Sequence, residues 1–172
     1  VVSRMVSGNI HKTNYSEVCT RSRKLASALE KDGYKEGDVI ATLALNTYRH
    51  LEMYYGISGM GGINHTLNFR LHPEQAVYII NHAEDKVIFC ETPFIPILEG
   101  LQENLECVEK YIILCDTSEM PDTKLKNAIS YEEYIKDGDE NYEWPALADD
   151  AACALCYTCL LYTSDAADDT PC

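Results

Sequence analysis

Positive charge is scarce in this chain. Its 172 residues carry 14 Lys and Arg against 28 Asp and Glu, a formal net charge of −14. An acidic balance spread along the whole length argues against a surface built for nucleic acid or anionic membrane, and it is silent on substrate. Long apolar runs are missing as well: nothing approaches the roughly 20 consecutive apolar residues of a transmembrane helix. The 8 cysteines form no short-spaced disulfide framework. Cys90 and Cys115 each close an apolar run, where a reduced thiol packs as a small hydrophobe, and the reading that follows is a reducing, cytoplasmic compartment. Internal repeats are lacking. So is an initiator Met, because the chain begins at Val1, and a leader before it is left open. A length of 172 residues suffices for one domain with a fair core.

What is present is an alternation of helix and strand patterns. Asn14-Tyr15-Ser16-Glu17 has the form of a capping box, and Val18, Leu25 and Leu29 continue it as a helical stripe that ends at Gly33. After the Gly37-Asp38 turn, Val39 to Leu45 is a nearly continuous apolar strand of the kind buried on both faces. Asn46-Thr47 caps a second helix running through Leu51, Tyr54, Tyr55 and Ile57 to Gly59-Met60-Gly61-Gly62, and Ile63 to Leu67 is a short extended segment. Pro73 fits the first turn of a third helix with Ala76, Val77, Ile79 and Ile80 facing inward. Residues 86–90 read as strand, 93–105 as helix and 111–115 as strand. The fold class is therefore α/β, a mainly parallel sheet with flanking helices. Residues 116–150 are polar and acidic, and they read as a long surface excursion with one short helix at 131–135 before a core strand at 152–157.

Glycine and lysine are absent where that last strand calls for them. Residues 152–158, Ala-Cys-Ala-Leu-Cys-Tyr-Thr, resemble a strand leading into a glycine-rich phosphate loop, yet Cys159 to Asp169 contains neither residue. The common transposase adapter of short-read libraries, read as TGT CTC TTA TAC ACA TCT GAC GCT GCC GAC, translates to residues 159–168 in order. Residues 159–172 are therefore expected to be an adapter-derived, non-native tail. Its three acids, Asp165, Asp168 and Asp169, leave 1–158 at −11, and its two cysteines leave six.

Several sharp readings lose to plainer ones. Cys153-x-x-Cys156-x-x-Cys159 suggests zinc or an iron–sulfur cluster, but strand positions three apart face opposite sides. His65 and His72 flank Asn68 and Arg70, and these groups are expected to satisfy one another and the backbone rather than form a polar site. His50 and His82 read as surface or capping residues, and Tyr54, Tyr55 and Tyr78 as half-buried core aromatics. Gly59, Gly61 and Gly62 follow a helix, which is the wrong order for a dinucleotide fingerprint; close packing or positive φ accounts for them. Asp137, Asp139 and Glu140 read as solvated loop.

Three blocks carry a family resemblance. The first is Tyr15-x-Glu17, then Leu25-Ala26-x-Ala28-Leu29, Gly33 and Gly37-Asp38-Val39-Ile40-Ala41. The second runs from Asn46-x-x-Arg49-His50-Leu51-Glu52 through Gly59-Met60-Gly61, His65-Thr66-Leu67-Asn68-x-Arg70-Leu71 and Pro73-Glu74-Gln75 to Ile79-Ile80-Asn81-His82-Ala83-Glu84-Asp85. The third is Cys156-Tyr157-Thr158. Together they resemble the N-terminal part of an AMP-forming acyl-CoA synthetase of the adenylate-forming superfamily, in the long- and medium-chain fatty-acid–CoA ligase branch. Phe69 departs from that branch, which has proline there.

The resemblance implies that 1–158 is the N-terminal portion of the AMP-binding (adenylation) domain. It implies a reaction in which a carboxylate attacks the α-phosphate of ATP and CoA thiol then displaces AMP, supported by Mg²⁺ and by backbone N–H groups of a glycine-rich loop. The family loop reads Tyr-Thr-Ser-Gly-Thr-Thr-Gly-x-Pro-Lys-Gly, of which Tyr157 and Thr158 are present. Thr158 is the one ligand position carried over, its hydroxyl placed near the ATP phosphates and Mg²⁺; no catalytic residue falls within the chain. The expected partners are a fatty acid, ATP and CoA, with a homodimer for the complete enzyme and no activity in this piece alone. The alternatives are a ligase for a short thioether, aryl or amino acid, and a stand-alone α/β binding module to which 159–172 belongs.

Overall fold

The first helix begins where its capping chemistry dictates. In the computed structural model, which describes residues 1–157, the Asn14 side chain accepts from the Glu17 N–H at 2.9 Å and Glu17 reaches back to the Asn14 N–H at 3.4 Å. Helix α1 (Tyr15–Lys31) buries Val18, Leu25, Ala26 and Leu29, and the chain turns at Gly33 with φ +92°, a conformation that glycine adopts without a Cβ clash. Ahead of it, β1 (Val2–Arg4) and β2 (Ile10–Lys12) form an antiparallel hairpin. Strands of three residues show no periodicity, so the sequence pattern did not disclose them.

Strands β3 (Val39–Leu43), β4 (Ile63–Thr66), β5 (Val87–Cys90), β6 (Lys110–Ile113), β7 (Ala128–Ser130) and β8 (Ala154–Leu155) form one sheet among the described residues, in the order β7-β6-β5-β3-β4-β8. Each pairing in it is parallel. Helices α1, α2 (Tyr48–Gly59) and α5 (Tyr131–Ile135) cover one face, packing Leu25, Leu29, Met53, Ile57 and Tyr131 on Ile40, Val87, Phe89 and Ile112. Helices α3 (Pro73–His82) and α4 (Ile95–Leu101) cover the other, packing Ile79, Ile80 and Leu98 on Ala41, Leu43, Ile88 and Ile113. Each of the larger aliphatic side chains and Phe89, fully buried, contributes about 1.5–3 kcal/mol of transfer free energy, and these two layers fix the central strands.

Four expectations are corrected. The helix over 93–105 is broken into a 3₁₀ turn at Thr92–Phe94, α4, and a second 3₁₀ turn at Gln102–Asn104. Pro96 lacks the N–H that a helix already running from 93 would need at that position, and it sits instead in the first turn of α4, where none is needed. The 116–150 excursion is partly core: β7 pairs with β6, and Leu125, Tyr131 and Ile135 are buried. The strand expected at 152–157 is only Ala154–Leu155, an edge strand with Ala154 exposed. Finally, Tyr54, Tyr55 and Tyr78 are exposed, while His50 is buried. The glycine reading holds: Gly61 has φ +89°, and a Cβ on Gly59 would meet the Trp144 ring at 2.6 Å.

Candidate functional site

In an open parallel sheet, ligands bind outside the carboxyl ends of the strands where the strand order reverses. Here β4 lies to one side of β3 and β5 to the other, so the crevice opens between the segments leaving β3 and β5. Thr47, after β3, and Glu91, after β5, meet there: the Thr47 hydroxyl donates to Glu91 Oε1 at 3.3 Å. Glu91 is 1% exposed. Burial pushes its carboxyl up to about 7, against the opposing pull of Arg49 and of the Thr47 hydrogen bond.

Beside this pair lies a paired-charge cluster on the α1/α2/α5 face. Arg21 donates through Nε to Glu52 at 2.7 Å and through both terminal nitrogens to Glu132 at 2.9 Å. Arg49 donates to Glu132 at 3.0 Å, to the Leu114 carbonyl at 3.2 Å and to Asp116. The Tyr131 hydroxyl completes Glu52, donating to Oε2 at 2.9 Å. The two carboxyls shift in opposite directions. Burial raises Glu52, and Arg21 and Tyr131 only partly offset it. Glu132 also feels burial, but the Arg21 fork and Arg49 hold it below its ordinary value. The cluster ties the exits of β3 and β6 to α5.

A second group gathers where β8 ends. His65 of β4 and Asp85, both 0% exposed, pair Nδ1 to Oδ2 at 2.8 Å. Burial raises the Asp85 carboxyl, with the His65 hydrogen bond opposing. The Tyr157 ring lies 5.2 Å from the His65 ring, and its hydroxyl meets His82 Nδ1 at 2.6 Å. Thr66 Oγ1 lies 3.2 Å from Cys156 Sγ. β8 runs parallel to β4, so the chain leaves it toward the carboxyl end of the sheet, whereas Asp85 and His82 come to the group from the segment that precedes β5.

The sequence-based site maps onto this frame unevenly. Thr158 and 159–172, with Cys159, lie outside the described residues. His65 turns to Asp85 rather than to the loop, whereas Asn68 accepts from the Arg70 N–H at 3.0 Å, as the self-satisfying reading has it. His82 is exposed as expected, and Asp137, Asp139 and Glu140 are solvated. Glu91 was missed altogether, although an acid directly after the apolar run Val87–Cys90 marks the carboxyl end of a buried parallel strand. An apolar cavity of about 400 Å³, lined by Tyr15, Val18, Cys19, Tyr55 and Trp144 among others, lies on α1 and α2. No charged side chain lines it, and it shares no residue with the Thr47–Glu91 crevice. Among the described residues, no three His, Cys, Asp or Glu side chains are grouped to hold a metal, and no helix is long and apolar enough to cross a membrane.

Known proteins give a consistent comparison. The profile of the AMP-binding enzyme family matches residues 2–159. The chain is 42% identical over 158 residues to a medium-chain-fatty-acid–CoA ligase of Ectopseudomonas oleovorans, covering 92% of this chain and 29% of that protein. It is 40% identical over 151 residues to a 3-methylmercaptopropionyl-CoA ligase of Ruegeria pomeroyi, covering 88% and 28%. A long-chain-fatty-acid–CoA ligase of Thermus thermophilus is 37% identical over 158 residues, 92% and 28%. The chain thus spans less than a third of the length of these relatives. Among solved structures, an anthranilate CoA ligase bound to anthranoyl-AMP superposes with TM-score 0.79 at 20% identity, over 86% of this chain and 27% of that one. The coronafacic acid ligase of Pectobacterium brasiliense gives 0.75 at 18%, over 86% and 29%. These two likenesses concern the fold.

Proposed function

Because the chain belongs to the AMP-binding enzyme family, we propose that it is part of an ATP-dependent, AMP-forming acyl-CoA ligase whose acid is a fatty acid. The observation that carries the acid class is the 42% identity to a medium-chain-fatty-acid–CoA ligase over 158 residues. The His65-Thr66-Leu67-Asn68 and Asn81 to Asp85 runs fall within that span. A second acid has support of its own, since identity to a thioether-acid ligase is 40%. A stand-alone binding module has no comparable support.

The described residues do not themselves cradle phosphate. The Arg49 guanidinium is engaged by Leu114, Asp116 and Glu132, and the Thr47 hydroxyl by Glu91. No step of phosphoryl transfer is therefore assigned to them. Their part is to hold the carboxyl edge of the sheet, from which the chain leaves β8 toward Thr158. In this proposal Thr158 opens the phosphate loop beside ATP and Mg²⁺, and the groups that stabilise the transferring phosphate belong to sequence following it. CoA as second substrate and a homodimer complete the proposal. A cytoplasmic setting is supported by six free thiols among the described residues.

The test is to sequence the locus past Thr158 and express the complete reading frame. Codons for Ser-Gly-Thr-Thr-Gly, with AMP release driven by one acid among short to long fatty acids and methylthiopropionate, are the expected result. A frame lacking that loop, or forming no acyl-AMP with any acid offered, sinks the proposal. Residues 1–172 alone are expected to form none.

A further inference from the structure

We propose that His82, backed by the buried His65–Asp85 pair, is a positioning residue that fixes the exit of β8 by holding the phenol of Tyr157, immediately before Thr158. The purpose assigned to it rests on the ligase reading; its geometry does not.

The argument starts from the weakness of β8. A ladder of two residues, Asn64↔Ala154 and His65↔Leu155, sets a register, and past it the Thr66 hydroxyl meets Cys156 Sγ at 3.2 Å, so few contacts direct the chain beyond β8. Tyr157, two residues further on, is nevertheless anchored. Its ring packs against the α3/α4 core, and its hydroxyl meets His82 Nδ1 at 2.6 Å. The bond survives either protonation state of His82, because a neutral Nδ1 accepts from the phenol and a charged one donates to it.

The anchor has a rigid base. His65 is held by Asp85, and its ring faces Tyr157 at 5.2 Å with the planes 49° apart. Asp85 is delivered by the end of α3. There the Asp85 N–H reaches Ile80 O and the Glu84 N–H reaches Asn81 O, both at 3.1 Å, with Glu84 at φ +56°. This is a Schellman motif carrying Glu at the position glycine ordinarily takes. The pair is costly in itself: His65 Nε2 and Asp85 Oδ1 are buried without hydrogen-bond partners among the described residues. Apolar side chains of similar volume would fill the site at lower cost, so the pair is not there for stability alone. What it adds is a fixed imidazole under Tyr157. The titratable groups around the phenol are Tyr78 and His82 of α3, His65 of β4 and Asp85 of the turn, and burial with Tyr78 and Asp85 raises the phenol's own proton affinity.

The experiment is amide hydrogen exchange on the 172-residue chain and its variants His82→Ala, His82→Asn and Tyr157→Phe. His82→Ala is expected to speed exchange at 154–157 about tenfold, the size of one hydrogen bond, with β3 and β5 unchanged. Tyr157→Phe is expected to match it, the double variant to add nothing, and His82→Asn, which retains a polar group there, to restore protection. Exchange at 154–157 indifferent to His82→Ala overturns the proposal. So does an equal rise through β3 and β5, which would mark His82 as a general stabiliser. No nucleotide enters the measurement, so an inactive complete reading frame would sink the ligase reading and leave this result standing.

Discussion

Thr47 and Glu91 close the crossover point of the sheet from opposite sides, the hydroxyl of one donating to the buried carboxyl of the other at 3.3 Å. Burial of that carboxyl, which the Thr47 hydrogen bond only partly opposes, makes stability depend on pH. The Glu91 carboxyl rises from an ordinary 4.5 to about 7 in the fold, first through burial, so the folded state holds its proton more tightly than the unfolded chain. The resulting stability is complete below about 4.5 and is lost as pH rises through about 7. The span corresponds to at most about 3 kcal/mol. Glu91→Gln mimics the protonated acid and keeps an acceptor for Thr47. Urea unfolding from pH 5 to 8 is expected to show the variant gaining on the parent by up to that amount. Parallel pH profiles would refute it.

Among the described residues, the Tyr131 hydroxyl is one of two side-chain donors to Glu52, whose carboxyl is 0% exposed. Tyr131→Phe removes that donor without changing shape and is expected to cost about 1–3 kcal/mol, the penalty of an underpaired buried acceptor. Glu52→Ala leaves Arg21 without that partner and is expected to cost more, about 3–5 kcal/mol. Denaturant midpoints check both, and a smaller loss for Glu52→Ala than for Tyr131→Phe would contradict the network as drawn.

These relationships also mark where the sequence stopped being legible. The α/β class, the α1 capping box, the buried strand at β3 and the short helix at 131–135 all follow from local patterns, because periodicity and capping are local. The family blocks were legible for the same reason. Arg49 and Glu52 stood in one of them, but their partners Glu132 and Tyr131 come from a segment whose acidic composition resembles solvent-facing loop. Pairing over some 80 residues leaves no local trace. His65 and Asp85 lie 20 residues apart and join only because β4 and β5 flank β3. The three-residue strands β1, β2 and β7 are too short to alternate visibly.

Glu84 supplies a stabilising substitution. It sits at φ +56° at the end of α3, a left-handed conformation that costs an L-residue about 1–2 kcal/mol and glycine little. Its side chain is exposed. Glu84→Gly is expected to raise stability by about 0.5–1 kcal/mol after glycine's greater unfolded-state entropy is subtracted. A thermal melt that falls instead would mean that the carboxylate makes a contact worth more than the relief.

The edge at β8 bears on solution behaviour. Among the described residues no strand pairs with its outer side, and Ala154 and Cys156 are exposed there. An open, weakly charged edge is a template for another copy of the same edge. The chain is therefore expected to self-associate with rising concentration, and Ala154→Lys, placing charge on the edge, to suppress this at a cost of no more than about 1 kcal/mol in stability. Sedimentation velocity at several concentrations distinguishes the outcomes. A parent that stays monomeric at high concentration would show that this edge is already protected. Association that persists in Ala154→Lys would place it on another surface, the exposed Tyr15 and Tyr55 around the α1/α2 cavity being the next to substitute.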